Sequence, residues 1–102
     1  MSTPTIAAVR SAVAHYYGMA AGEMVSPDRR RVIAHPRQLA MALARELTGK
    51  PLSLIGRHFG GRDHTTVIHA VRVVHERVGK ETETRLAANG LKVLLTKKVT
   101  GC

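Results

Sequence analysis

Gly60-Gly61 separates two apolar patterns that both repeat every three to four residues, and that junction limits the fold more than any other feature of the chain. Before it, Leu52, Ile55 and Phe59 fall on one side of a short helix running from about Leu52 to Phe59. After it, Val67, Ala70, Val71, Val74 and Val78 form a stripe with a period near 3.6. The valines favour strands, but strict alternation is missing, so the stripe predicts a helix to about Gly79. Paired glycines admit the positive φ of a tight turn. Two helices joined in this way, the second opening on polar residues, form a helix-turn-helix.

The rest of the chain supports an all-α, single-domain bundle around that unit. Thr3-Pro4 reads as a helix start, a capping hydroxyl before a proline at the first helical position. Ile6, Val9, Val13 and Tyr16 or Tyr17 continue it to Gly18. Ala20 to Val25 allows one further short turn of helix, and Ser26-Pro27-Asp28 is a break. Pro36 is expected in the first turn of the next helix, where a missing N–H is tolerated. Leu39, Leu43 and Leu47 recur every four residues with alanines between them, so this helix packs closely on its neighbours and ends at Thr48-Gly49. A last helix is expected from about Glu81 to Lys97, with an interruption at Gly90. Residues 1–80 are therefore read as the functional domain and 81–102 as a helical extension or tail. Within that tail Leu91, Leu94, Leu95 and Val99 either close the bundle or form an exposed apolar patch for a partner.

Charge narrows the function. The 102 residues carry 16 Lys and Arg against 7 Asp and Glu, a net charge of +9, and eleven of the cations are arginine. Arginine forks onto phosphate and guanine better than lysine does, so a polyanion is the expected partner. With 3% aromatic residues there is no platform on which successive bases could stack, which disfavours a single-strand binder. No apolar run approaches a membrane span, and nothing reads as a signal peptide. The one cysteine, Cys102, rules out an internal disulfide framework and fits a reducing cytoplasm.

The leading end of the helix after the glycines reads Arg62-Asp63-His64-Thr65-Thr66. An α-helix fits the major groove, and the residues at its start reach base edges. Asp63 can accept from an exocyclic amine, His64 can bond a base edge, and the threonines offer methyl groups and hydroxyls. A plainer reading has Asp63 and the threonines only capping the helix, with Arg62 solvated. The basic run Arg29-Arg30-Arg31 is by itself no more than a solvated loop, but it lies beside this reading head in the chain.

The residues themselves carry more than the pattern. Phe59-Gly60-Gly61-Arg62-Asp63-His64-Thr65-Thr66-Val67-Ile68-His69-Ala70 closely resembles the signature of the C-terminal DNA-binding domain of the bacterial replication initiator DnaA. Pro36 to Met41, Leu52 to Gly56 and Tyr16-Tyr17 extend the likeness over roughly Ile6 to Val78. The resemblance implies a bundle with a Trp-repressor-like helix-turn-helix that reads the nine-base-pair DnaA box in duplex DNA. It implies base contacts from Asp63, His64 and Thr65 in the major groove, from Arg29 in the adjacent minor groove, and from Leu52 near a thymine methyl. It assigns Arg37, Gln38, Arg45, Thr48 and Thr66 to the phosphate backbone. An arginine in a narrow A·T minor groove gains from its enhanced negative potential.

Two departures stand out. Pro27 and Asp28 occupy positions where the family's loop carries lysine and arginine, and Ser53 replaces a proline. Asp28 there is expected to repel phosphate, with Arg30 and Arg31 to offset it. No G-x-x-x-x-G-K-[ST] loop occurs, so neither nucleotide nor any other cofactor is expected. Met1 and the short tail point to a free-standing protein, nucleoid-associated, regulating replication initiation or transcription. Its other expected partners are the full-length initiator or a replication regulator. A protein-interaction adaptor that keeps the fold with weak DNA binding is the alternative. Metal and enzyme readings find little support. His64, His69 and His75 are spaced five and six apart and do not share a helix face, and no nucleophile, base and orienting group converge.

Overall fold

The computed structural model describes residues 3–96, which form six α-helices and no strand. They are α1 (Ile6–Tyr16), α2 (Ala21–Met24), α3 (Arg31–Thr48), α4 (Leu52–His58), α5 (His64–Lys80) and α6 (Thr82–Thr96). The expected tail residues Lys97, Val99 and Cys102 lie outside the described residues.

The centre of the bundle is α3, which packs against all five other helices. Its Ile33, Leu39, Ala40, Met41, Leu43 and Ala44 are buried, and the alanines let neighbouring helices approach closely. Around it gather Ile6, Val9 and Val13 of α1, Met24 of α2, Ile55 of α4, and Val67, Ala70 and Val74 of α5. Phe59, which ends α4, is fully buried; burying such a side chain contributes roughly 2–3 kcal/mol. α6 adds Ala87, Ala88 and Leu91 to the same core.

Three boundaries differ from the sequence expectation. Thr5, not Thr3, caps α1: its hydroxyl accepts from the Ala8 amide at 3.0 Å. Pro4 thus lies ahead of the helix rather than in its first turn. Pro36 sits in the second turn of α3, because that helix already begins at Arg31. A proline there removes the amide that would bond the carbonyl of Val32, and Val32 is exposed, so water can take its place. Gly90 does not interrupt α6. A helical glycine costs about 1 kcal/mol relative to alanine, and the burial of its neighbours Ala87, Ala88 and Leu91 outweighs that.

Candidate nucleic-acid interface

The turn between α4 and α5 is built by close backbone approach. Gly56, inside α4, accepts from the Phe59 and Arg62 amides at 3.1 and 2.9 Å. A Cβ on Gly56 would lie 2.0 Å from the Arg62 carbonyl oxygen, so only glycine fits. Gly60 and Gly61 both take positive φ, 87° and 76°. Gly60 also lies against the Val25 carbonyl of the preceding loop, where a Cβ would come within 2.3 Å.

Asp63 caps α5 and organises its leading end. Its Oδ2 accepts from the Thr65 amide at 3.2 Å and from the Thr65 hydroxyl at 2.5 Å. The Thr65 hydroxyl and amide hold the Asp63 carboxyl below the usual carboxylate range. Its Oδ1 lies 3.5 Å from Nδ1 of His64, with both side chains more than half exposed. Thr65 and Thr66 are exposed as well, so the four residues from Asp63 to Thr66 all stand at the surface.

The segment between α2 and α3 is held against this turn by two arginines. Arg37 of α3 is buried, and its Nη2 donates to the Asp28 carbonyl at 2.8 Å, with the Glu23 carbonyl and Ser26 hydroxyl each 3.4 Å away. Arg62 donates to the carbonyls of Phe59 and, at 2.8 Å, of Ser26. Burial lowers the pKa of both guanidinium groups from the ordinary arginine range. Arg29 stands exposed on the loop so anchored. Its neighbour Arg30 does not stand free: Nε and Nη2 grip the carboxylate of Asp28, with Nη2 to Oδ2 at 2.7 Å.

The other expected phosphate residues are less uniform. Arg45 is exposed and donates to the Lys50 carbonyl at 2.7 Å. Thr48 spends its hydroxyl on the end of α3, donating to the Ala44 carbonyl and accepting from the Lys50 amide. Gln38 is half-buried and accepts from Arg77. Leu52 lines a shallow depression with Arg45, Ile68, Val71 and Arg72, an apolar floor between two cations.

Two arginines are placed in ways the sequence does not suggest. Arg37, expected at a phosphate, is buried with little surface to offer one: its Nη2 serves the loop carbonyls, while its Nε is buried without a hydrogen-bond partner. Arg62 is not simply solvated, because it ties the turn to Ser26. The positioning role of Gly56 escaped the sequence reading, although a glycine inside a helical pattern is the ordinary sign of close backbone approach. Nothing in the sequence around Arg62 marks its partner thirty-six residues away. Among the described residues no cluster of three His, Cys, Asp or Glu could hold a metal ion, and no helix is long and apolar enough to cross a membrane.

A family model described as the bacterial dnaA protein helix-turn-helix matches residues 6–74, from the start of α1 to well inside α5. The chain belongs to the bacterial DnaA helix-turn-helix family. It is 46% identical over 79 residues to the chromosomal replication initiator protein DnaA of Cereibacter sphaeroides, covering 78% of this chain and 17% of that protein. With the DnaA of Caulobacter vibrioides it shares 54% over 68 residues, 67% of this chain and 14% of the relative. With that of Rhizobium meliloti it shares 44% over 89 residues, 87% and 18% respectively. The chain thus spans less than a fifth of the length of these DnaA relatives. The family match takes in the α4–α5 turn, the Asp63 cap and both arginine clamps, while α6 lies beyond it.

Proposed function

We propose that this protein binds duplex DNA at DnaA-box-like sites and acts in the control of replication initiation or of transcription. The observation that carries the proposal is the exposed leading end of α5 in a chain of the DnaA helix-turn-helix family. His64 and Thr65 read base edges in the major groove, and Asp63 contributes through the oxygen that does not cap the helix. Leu52 meets a thymine methyl, and Arg29 enters the neighbouring minor groove. Thr66 and Arg45 hold phosphates, with Gln38 and Thr48 at the margin of that contact. Residues 1–80 are the helix-turn-helix domain that carries this activity, and residues 81–102 are its C-terminal helical extension. Neither a nucleotide nor a catalytic step is part of the mechanism. If five to seven phosphates are neutralised, log K falls against log salt with a slope of about −5 to −6.

The test is a titration of two duplexes, one with the nine-base-pair element and one scrambled, at physiological salt. H64A should lose about 1–3 kcal/mol on the boxed duplex and little on the scrambled one. R45A should weaken both alike. Equal, sequence-independent losses from the two variants would remove the base-reading role. A second reading, an adaptor for a replication-control protein, is favoured by one observation: Leu86, Val93 and Leu94 of α6 are all exposed. Indifferent binding to both duplexes beside a stable protein complex would favour it.

A further inference from the structure

The Asp28–Arg30 pair lies at the point where the loop would meet DNA, and its geometry bears on affinity. A carboxylate and a phosphate compete for the same face of a guanidinium, since both accept two parallel N–H bonds. Here the Nε and Nη2 edge of Arg30 is fully engaged by Asp28, at 3.1, 3.1 and 2.7 Å. Both partners are anchored independently of the pair. The Asp28 carbonyl is held by Arg37 at 2.8 Å and its amide by the Ser26 hydroxyl at 3.3 Å. The Arg30 carbonyl opens α3 by accepting from Ile33 and Ala34, while the Arg30 amide reinforces the pair itself by donating to Oδ1 of Asp28 at 2.9 Å. Two residues apart and fixed from behind, the charges meet without any search. Asp28 is held down at about 2 by these bonds from Arg30, so it is ionised wherever DNA is intact.

We infer that Asp28 weakens this protein's hold on DNA by occupying the guanidinium fork of Arg30, so that the loop offers Arg29 and Arg31 to the duplex but not the cation between them. The inference rests on the DNA-binding reading above. It goes further in making one acidic residue a built-in competitor of the phosphate backbone. A phosphate that took Arg30 would leave Asp28 ionised and facing the duplex, so displacement of the pair does not recover the contact.

The experiment measures affinity of the wild type, D28N, R30A and D28N/R30A for the boxed and scrambled duplexes from 50 to 300 mM salt. Asparagine keeps the oxygen that accepts from the Arg30 amide and removes only the charge. D28N should bind both duplexes about eightfold tighter at 0.1 M salt and steepen the salt slope by about 0.9, one further phosphate. R30A should cost the wild type less affinity than it costs D28N, where it cancels the gain. Tight binding by the wild type with an unchanged slope in D28N overturns this inference alone. So does a loss from R30A that is as large with Asp28 present as without it. If neither the wild type nor D28N binds either duplex, both this inference and the DNA-binding reading fall. Binding by D28N where the wild type shows none supports both.

Discussion

The only two aspartates of the chain stand one in each half of the candidate reading surface, and they do opposite things there. Asp63 turns inward to its own helix, capping α5 through Thr65, and so presents His64 and Thr66. Asp28 closes on Arg30 and takes up its Nε and Nη2 donors, although the guanidinium itself stays at the surface. The leading end of α5 is arranged by residues within two positions of one another. The loop before α3 is arranged from a distance, by Arg37 of α3 and Arg62 of the turn. Local chemistry thus builds one half and tertiary packing builds the other.

The largest effect should come under the turn that joins α4 to α5. Replacing Gly56 by alanine puts a Cβ 2.0 Å from the Arg62 carbonyl, with backbone on both sides and no flexible side chain to move aside. G56A should lose about 3 kcal/mol or more, which lowers Tm by more than about 10 °C in a domain of this size. G61A is the control. Gly61 has positive φ but open space around its Cβ, so its cost is the left-handed backbone alone, about 1–2 kcal/mol. Equal losses in a thermal melt would mean that the close approach of α4 to Arg62 contributes nothing.

This contrast also explains what the sequence could reveal. The helical periods, the glycine turn and the Asp63 cap are written within a few residues of where they act, and they were readable. Arg37 and Arg62 are not. Each is an arginine in a basic chain, and only the fold shows that one donates to the carbonyl of Asp28 and the other to that of Ser26. The cap of α1 is ambiguous in the sequence for a smaller reason. Two threonines flank Pro4, either could supply the hydroxyl, and the structure selects Thr5. The place of Pro36 depended on knowing that α3 starts at Arg31.

A smaller effect separates the clamp from a phosphate contact. R37A leaves the Asp28 and Glu23 carbonyls without their buried donor, so it should cost roughly 2–3 kcal/mol in denaturant unfolding. R45A, on an exposed arginine, should change stability by less than about 0.5 kcal/mol while weakening DNA binding. If R37A unfolds at the wild-type midpoint and only binding suffers, Arg37 serves the duplex directly and the two halves of the surface are built alike.

The smallest effect is on the acid limb of stability, where the two aspartates can be told apart. Both have folded-state pKa values below the ordinary aspartate value of 3.8: Asp28 at about 2, because of its hydrogen bonds from Arg30, and Asp63 because of those from Thr65. A carboxyl depressed on folding adds stability that is fully present above its unfolded value and is lost as pH falls through its folded one. Stability should therefore decline from about pH 4 toward about pH 2. Thermal melts over that range should show a flatter decline in D63N and in D28N than in the wild type. Each variant differs from the wild type at one carboxyl, so the difference between curves isolates that aspartate. A D28N curve parallel to the wild type would show that the Asp28–Arg30 pair forms as readily in the unfolded loop. It would then owe nothing to the anchoring of residues 26–28 by Arg37 and Arg62, and the two halves would differ only in how far their clamps reach.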